Sequence, residues 1–155
     1  MSIWRPVVRR WNTRCPQAGA PTVQLNRSED TSYIDGFVIA VPTANKQKFI
    51  EHARQLDPIF IELGAIRVIE AWGDDVPDGK VTDFRRAVQA TADETVAFSW
   101  VEWPDKATRD AGMKKMMEDP RMDPSTPGNP PMPFDGKRMI FGGFEAVVEV
   151  LKTRS

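Results

Sequence analysis

Residues 33–42 of the 155-residue chain read YIDGFVIAVP and form its clearest strand signal. Phe37, Ile39 and Val41 project to one face of an extended segment, and the apolar residues between them project to the other. A strand that is apolar at both parities is typical of a sheet covered on both faces. We therefore expect this segment to be a strand buried on both sides.

A helix is expected directly after this strand. Thr43 is placed to cap its first turn, and Gly64 stands where a helix commonly ends in a left-handed residue. Between them, side chains at spacings of three and four form one stripe, which is the pattern of a helix packed on a core. The sequence therefore predicts a helix from residue 43 to about residue 63. The residues of this stripe are Phe49, His52, Leu56, Ile59 and Leu63.

Three more strands and a second helix follow. Pro104 starts the helix, whose end is marked by Pro120 and whose apolar side holds Met113, Met116 and Met117. The strands are rich in β-branched and aromatic residues, as strands usually are. Their segments are AIRVIEAWG (65–73), ETVAFSWVEW (94–103) and KRMIFGGFEAVVEV (137–150).

The order β-α-β-β-α-β predicts an α+β, ferredoxin-like fold, in which an antiparallel four-stranded sheet carries both helices on one face. All four strands nevertheless show apolar residues at both parities. The face without helices therefore needs a second layer. A second copy of the sheet is the simplest candidate, so we expect a homodimer with an α/β barrel between the subunits.

The first 31 residues differ in composition from the rest. They hold five arginines against two acids and show no sustained period of 2 or 3.6. We expect residues 1–31 to be a disordered basic extension and residues 32–155 to be the folded domain. Because the whole chain has a net charge of −1, the domain itself is acidic, and nucleic-acid binding is not expected.

Histidine and cysteine are too scarce for several classes of site. Cys15 and His52 are the only residues of their kinds, which excludes a disulfide framework and a classical zinc site within one chain. No cofactor and no metal are predicted. The chain lacks the long apolar run of a membrane span and the apolar region of a secretory signal, so we expect a cytoplasmic protein.

Four long segments carry a resemblance to a known family. They are SYIDGFVIAVPTANK (32–46), GAIRVIEAWGDDVPDGKVTDF (64–84), FSWVEWPDKATRDAGM (98–113) and MPFDGKRMIFGGFE (132–145). In this order they resemble the uncharacterised bacterial YbaA-like family. The resemblance implies the dimeric α/β-barrel superfamily, which also contains antibiotic-biosynthesis monooxygenases, chlorite dismutases and cofactor-free isomerases or lyases. It implies no assigned activity, although some members carry a product name that mentions the RNA of the signal recognition particle.

Two acids beside tryptophans are the candidates for catalysis and ligand binding. Glu70 shares its parity with Trp72, and Glu102 shares its parity with Trp100. A hairpin with Trp72 opposite Val96 places the two acids on one face, about 13 Å apart at about 3.3 Å per residue. That separation is too long for a two-carboxylate mechanism. Glu70 is therefore expected as a lone base with a pKa raised by desolvation, or else as a structural acid paired at a dimer interface.

His52 is the second catalytic candidate. It lies on the apolar stripe of the first helix, where a half-buried imidazole would titrate near neutrality. The alternative is a packed histidine without chemistry, since no serine, cysteine or second histidine completes a relay.

The connection between the second and third strands, about 20 residues long, is unusual for a compact domain. Pro77, Asp78 and Gly79 predict a β-turn within it. We expect the loop to close over the open end of the sheet or to clasp a second subunit, with a ligand lid as the alternative. Its acids match no calcium loop. The expected contact residues are Asp74, Asp75, Lys80, Asp83, Arg85 and Arg86.

Three functions remain open from the sequence. The first is a small-molecule binder or cofactor-free enzyme with a pocket on the open sheet face, near Glu70, Trp72, Trp100 and His52. The second is a dimeric accessory protein without chemistry. The third and weakest is RNA association, prompted by the family product name and by the arginines of WRPVVRRW (4–11).

Overall fold

A computed structural model describes residues 22–24 and 32–152. The chain divides into a larger unit, residues 26–147, and a smaller unit formed by its two ends. In the smaller unit, strand β1 (Thr22–Gln24) pairs antiparallel with strand β6 (Glu149–Leu151). The predicted disordered extension otherwise falls on residues outside the described part of the chain.

The larger unit has the predicted ferredoxin-like α+β fold. Its four strands form one antiparallel sheet in the order β3-β4-β2-β5, in which β4 lies between β2 and β3, and β2 lies between β4 and β5. The elements in chain order are β2 (Tyr33–Pro42), α1 (Lys46–Glu62), β3 (Arg67–Trp72), α2 (Phe84–Ala87), β4 (Glu94–Trp103), α3 (Lys106–Glu118) and β5 (Ile140–Glu145). The fold class predicted from the element order is thus confirmed.

The last predicted strand is shorter than expected. β5 ends at Glu145, and the amide of Ala146 then donates to the carbonyl of Ser32 at 3.1 Å. The remaining apolar residues of the predicted segment continue into β6, which belongs to the smaller unit. Periodicity could not separate the two strands, because both are apolar and only two β-branched residues and an alanine lie between them.

Helix α1 begins later than predicted. A 3-10 turn, Thr43–Asn45, precedes it, and the hydroxyl of Thr43 lies 2.8 Å from that of Thr95 instead of capping the helix. Gly64 ends the helix at φ 111°, as expected, and its position admits no side chain because a Cβ atom would lie 2.8 Å from Thr108. The buried residues of α1 are Phe49, Ala53 and Ile59.

Helix α3 starts two residues after Pro104, where the side chain of Asp105 accepts the amide of Thr108 at 2.7 Å. Its buried side is formed by Gly112 and Met116, whereas Met117 is 87% exposed, so the prediction for Met117 is wrong. Gly112 sets this side, because any Cβ atom there would lie 2.8 Å from the ring of Trp103.

The layer between sheet and helices contains one buried ion pair. Asp35 of β2 is only 3% exposed and accepts the indole N–H of Trp103 at 2.9 Å. The guanidinium of Arg109, on α3, reaches the same carboxylate at 2.6 Å. A buried carboxylate needs such partners, because it is otherwise deprived of hydration. The contact ties α3 to the centre of the sheet.

The described residues contain no helix that is long and apolar enough to cross a membrane.

We expect Arg109→Met to lower the free energy of unfolding by about 3 kcal/mol, because it leaves Asp35 charged and buried with one neutral donor. Urea denaturation at pH 7 measures the change. Arg121→Met is the matched control, since Arg121 pairs with Glu62 on the exposed surface and its loss should matter little. Equal losses in the two variants would contradict a structural role for the Asp35 pair.

Candidate functional site

The pairing of β3 with β4 determines which candidate residues meet. Trp72 pairs with Ala97, Glu70 with Ser99, and the register predicted from the sequence is therefore wrong by one residue. At the end of β3, the amide of Gly73 donates to the carbonyl of Val96 at 2.8 Å. A Cβ atom at Gly73 would lie 2.6 Å from that oxygen, so the glycine permits this close approach.

A slip of one residue moves a whole strand's side chains to the opposite face. Glu70 and Trp72 therefore lie on the helix side of the sheet, together with Ser99, while Trp100 and Glu102 lie on the open side. The single pocket expected to contain both tryptophans does not exist. The two groups are separate sites on opposite faces.

On the open side, Glu102 is already neutralised. Arg67 binds it at 2.6 Å and the indole N–H of Trp100 donates to it at 3.0 Å. The hydrogen bond and charge of Arg67 hold the pKa of Glu102 below its ordinary value. This carboxylate is a poor base, because its partners stabilise the ionised form.

The rest of the open face is an apolar groove of about 550 Å³. Gly36 and Gly142 lie opposite each other in its floor, which leaves room between the surrounding aromatic side chains. Its side-chain walls include Ile34, Val38, Phe98, Trp100, Ile140 and Phe144. The groove offers apolar contact area and no free carboxylate for proton transfer.

The long loop covers one end of this face. Val88, 1% exposed, packs on Val38, Ala40 and Val96, and the ring of Phe84 meets that of Phe98 edge-on at 6.0 Å. The loop therefore closes over the open end of the sheet within its own chain, which is one of the two roles predicted for it.

Three of the predicted loop contacts hold the loop together internally. Asp83 caps α2 by accepting the amides of Arg86 at 2.7 Å and Gly79 at 3.1 Å. Arg86 returns a hydrogen bond to the carbonyl of Gly79, and Arg85 binds the carbonyl of Thr91 at 2.7 Å. The side chains of Asp74, Asp75 and Lys80 are exposed.

The predicted β-turn at Pro77–Gly79 is wrong, since the backbone there forms no turn. Gly79 is needed for another reason. A Cβ atom at this position would lie 1.9 Å from the carbonyl oxygen of Thr82, so only glycine fits against that backbone.

Arg138 anchors the end of the loop. It binds Glu94, at the start of β4, at 2.5 Å and also binds Asp135 at 3.0 Å. The hydrogen bonds from Arg138 lower the pKa of Glu94 to about 2. Sequence reasoning missed this pair, because 44 residues separate its members.

On the helix side, a cleft of about 880 Å³ runs between α1 and the edge strand β3. It contains Glu70 and Trp72 from the strand and Asp57 from the helix. Aromatic and aliphatic side chains form most of its surface: Phe49, Ile50, Ala53, Pro58, Ile61, Ile66 and Val68. The cleft thus places the carboxyl groups of Asp57 and Glu70 on facing elements within apolar walls.

Burial in the cleft shifts the pKa values of Asp57 and Glu70 upward. Burial and the nearby charge of Glu70 raise the pKa of Asp57 to about 7. Burial also raises the pKa of Glu70, against the opposing effect of a hydrogen bond from Ser99. Within the described residues, the side chain of Asp57 forms no hydrogen bond or ion pair, and Glu70 forms no ion pair. The cleft therefore contains acids that the protein itself leaves unneutralised.

Three basic residues border the cleft without binding these acids. Lys46 lies over the ring of Trp72, 5.5 Å from its centroid. Arg67 is engaged with Glu102, and Arg54 also lines the cleft. Trp72 is in turn packed on Phe49 with a centroid distance of 5.8 Å. One end of the cleft is thus an aromatic wall under an ammonium group.

His52 is not part of this cleft. It lies beside Phe134, with ring centroids 6.2 Å apart, and lines a separate cavity of about 70 Å³. Burial lowers the pKa of His52, so its neutral form dominates at pH 7. The expectation that His52 and Glu70 share a pocket is wrong. The side of α1 that faces Glu70 carries Asp57, whereas His52 lies on a different side of the helix.

Asp57 is the residue that sequence reasoning missed. The helical spacing could have indicated it, because Asp57 lies four residues after Ala53 and four before Ile61 on the stripe that faces β3. The predicted stripe was instead drawn through His52 and Leu56, one residue earlier in the helix. No group of three or more metal-binding side chains occurs among the described residues.

The fold and the cleft define this chain as a ferredoxin-like α+β protein with a carboxyl-containing cleft between its first helix and an edge strand. The chain belongs to the DUF1428 family, described as proteins of unknown function, whose model matches residues 32–136. The resemblance found in the sequence is thus confirmed.

Curated relatives match most of the domain. The chain is 55% identical over 117 residues to the uncharacterized protein YbaA of Escherichia coli K12, and the match covers 76% of this chain and 97% of that protein. The match to the protein of the same name from Shigella flexneri has the same identity and coverage. A solved structure, a dimeric ferredoxin-like protein from an uncultured marine organism, matches with a TM-score of 0.47 and 8% identity, covering 81% of this chain and 100% of that one.

The raised pKa of Asp57 predicts a pH-dependent effect of Asp57→Asn. Between the ordinary value of 3.8 and about 7, the folded state binds more protons than the unfolded state, so wild-type stability falls as pH rises through this range. The asparagine side chain in the variant does not ionise, so its stability does not fall with pH for this reason. After a discount for solvent screening, we expect the variant to match wild type at pH 4 and to exceed it by about 1–2 kcal/mol at pH 8.

Urea denaturation at several pH values measures this difference, with Asp74→Asn on the exposed loop as control. A stability gain independent of pH, or a similar gain in the control, would contradict the burial of an uncompensated carboxyl group at Asp57.

Proposed function

We propose that this protein is a small-molecule enzyme without a cofactor that transfers protons in the cleft between α1 and β3. The observation that carries the proposal is the pair Asp57 and Glu70, which line one cleft from facing elements with no cation bound to either among the described residues. Acids arranged in this way are costly for stability, and catalytic sites are where such costs concentrate.

The pair can supply both an acid and a base near neutral pH. With a pKa of about 7, Asp57 is protonated in about half of the molecules at pH 7 and can donate a proton. Glu70, in its ionised form, can accept one. Transfer from a carbon or heteroatom of the substrate to Glu70, with delivery from Asp57 to another atom, leaves the overall charge unchanged. The proposed reaction class is therefore an isomerisation or addition–elimination driven by proton transfer.

The walls define the class of ligand. Phe49, Trp72 and Val68 offer an apolar surface, and Lys46 lies at the aromatic end. These features suit a largely apolar small molecule with a polar group near the acids. The pocket predicted on the open face is less suited to chemistry, since Glu102 there is bound by Arg67.

Purification of the full chain under native conditions, followed by native mass spectrometry, tests the proposal. We expect a retained small molecule whose occupancy is lost in Ala53→Trp, which fills the cleft, and unchanged in Asp74→Asn. With that molecule in D₂O, wild type should catalyse deuterium incorporation, and Glu70→Gln and Asp57→Asn should each slow it by about 10²-fold or more.

The non-catalytic alternative makes the opposite prediction. An accessory protein would retain no ligand in the cleft, and Glu70→Gln would leave its cellular phenotype unchanged. RNA association finds no support in the cleft, whose function depends on acids.

We also propose that the open face is covered by a second copy of the chain. Phe98, Trp100, Ile140 and Phe144 form an apolar surface there that the long loop leaves uncovered, and surfaces of this kind commonly mark contacts between subunits. Two such faces related by a two-fold axis would pack their aromatic side chains together.

Light scattering coupled to size-exclusion chromatography tests the dimer. We expect wild type to elute as a dimer at micromolar concentration and Phe144→Asp to elute as a monomer, because the charge would be buried without a partner. Met117→Asp, on the exposed side of α3, should remain dimeric. A monomeric wild-type protein would refute this assembly.

A further inference from the structure

Among the residues that the structure describes, Ser99 is the one polar side chain that forms a hydrogen bond with Asp57 or Glu70, and it bonds Glu70. It lies on β4 directly opposite Glu70 and is 2% exposed. Its hydroxyl donates to Oε2 of Glu70. A buried serine in a central strand could be replaced by another small residue unless its hydroxyl makes a contact that matters for function.

The surroundings of Ser99 leave its hydroxyl one partner. Its neighbour on β2 is Phe37, and the residues of β4 on the same face are Ala97 and Val101. These side chains are apolar, so the hydroxyl can form a side-chain hydrogen bond on the Glu70 side only. Buried polar groups are nearly always paired. The pairing of β3 with β4 thus directs Ser99 at Glu70.

Asp57 has no comparable donor within the described part of the chain. The other charged groups of the cleft are Lys46, Arg54 and Glu62 on α1 and Arg67 on β3. Arg67 is bound to Glu102, and Glu62 is bound to Arg121. None of them forms a hydrogen bond or ion pair with either acid among the described residues. The hydrogen bond from Ser99 is therefore a contact that Glu70 has and Asp57 lacks.

Two nearby carboxyl groups in an apolar setting compete for one proton, and a donor to one of them favours ionisation of that one. We propose that Ser99 is a positioning residue, which orients Glu70 and favours its ionised form, so that Asp57 is the acid that holds the proton. Ser99 thereby assigns the role of base to Glu70 and the role of acid to Asp57. The catalytic meaning of this assignment rests on the proposed function, whereas the assignment itself concerns only the two acids.

Carbon-detected NMR titration of the side-chain carboxyl groups in the full-length protein tests the assignment without any substrate. In wild type, Glu70 should ionise at lower pH than Asp57. In Ser99→Ala, the midpoint of Glu70 should rise by about one pH unit, the effect of losing one hydrogen bond to a charged group, and the midpoint of Asp57 should fall. In Ser99→Thr, which keeps a hydroxyl group, Glu70 should again ionise at lower pH than Asp57.

Two further variants keep the test decisive. Thr95→Val removes another hydroxyl from the same face of β4, away from the cleft, and should leave both midpoints unchanged. Ser99→Cys retains the volume of the side chain with a weaker donor, so an intermediate shift is expected even if Ser99→Ala does not fold. The role of Ser99 would be overturned if the midpoints of Glu70 and Asp57 were unchanged in Ser99→Ala and Ser99→Cys. It would also be overturned if Ser99→Thr shifted them as much as Ser99→Ala does.

Failure of this inference is distinguishable from failure of the proposed function. If the titration follows expectation but no ligand occupies the cleft, Ser99 still orders the two acids and the enzyme proposal fails. If deuterium exchange depends on Glu70 and Asp57 while Ser99→Ala leaves both titrations and the pH profile of exchange unchanged, the enzyme proposal stands and the role of Ser99 fails.

Discussion

The register between β3 and β4 is the constraint on which the functional features of this protein depend. Gly73 allows β3 to close against the carbonyl of Val96, and this pairing sets Glu70 opposite Ser99. Since side chains alternate between faces, the same register places Trp72 beneath α1 and leaves Trp100 on the open side. A shift of one residue would place Glu70 on the open face, and Glu70 and Asp57 would no longer lie in the same cleft.

On the helix side, one buried acid and two partly buried acids have different partners. Asp35 receives a guanidinium and an indole N–H, which together compensate for its lost hydration and connect α3 with the sheet. Asp57 and Glu70 receive only the hydroxyl of Ser99 between them, among the described residues. The protein thus neutralises the acid that supports its architecture and leaves two others, in a cleft, without a bound cation among the described residues.

The open face of the sheet is covered at one end and uncovered at the other. At one end Val88 of the long loop seals the face within the chain, and Arg85, Arg86 and Arg138 hold that loop by hydrogen bonds to backbone and acids. At the other end the aromatic side chains around Gly36 and Gly142 stay uncovered. The loop therefore limits the apolar surface that is left uncovered on this face.

The sequence by itself determined the family, the element order and the fold class, because strand alternation, helix spacing and the stop at Gly64 are local signals. It also indicated that Glu70 lies beside a tryptophan. Only the tertiary structure decided the face on which Glu70 lies, its meeting with Asp57, the separation of His52 and the pairing of Glu94 with Arg138. Each of these depends on strand register or on contacts between distant segments, and a period of two along a strand fixes parity but not the partner that it faces.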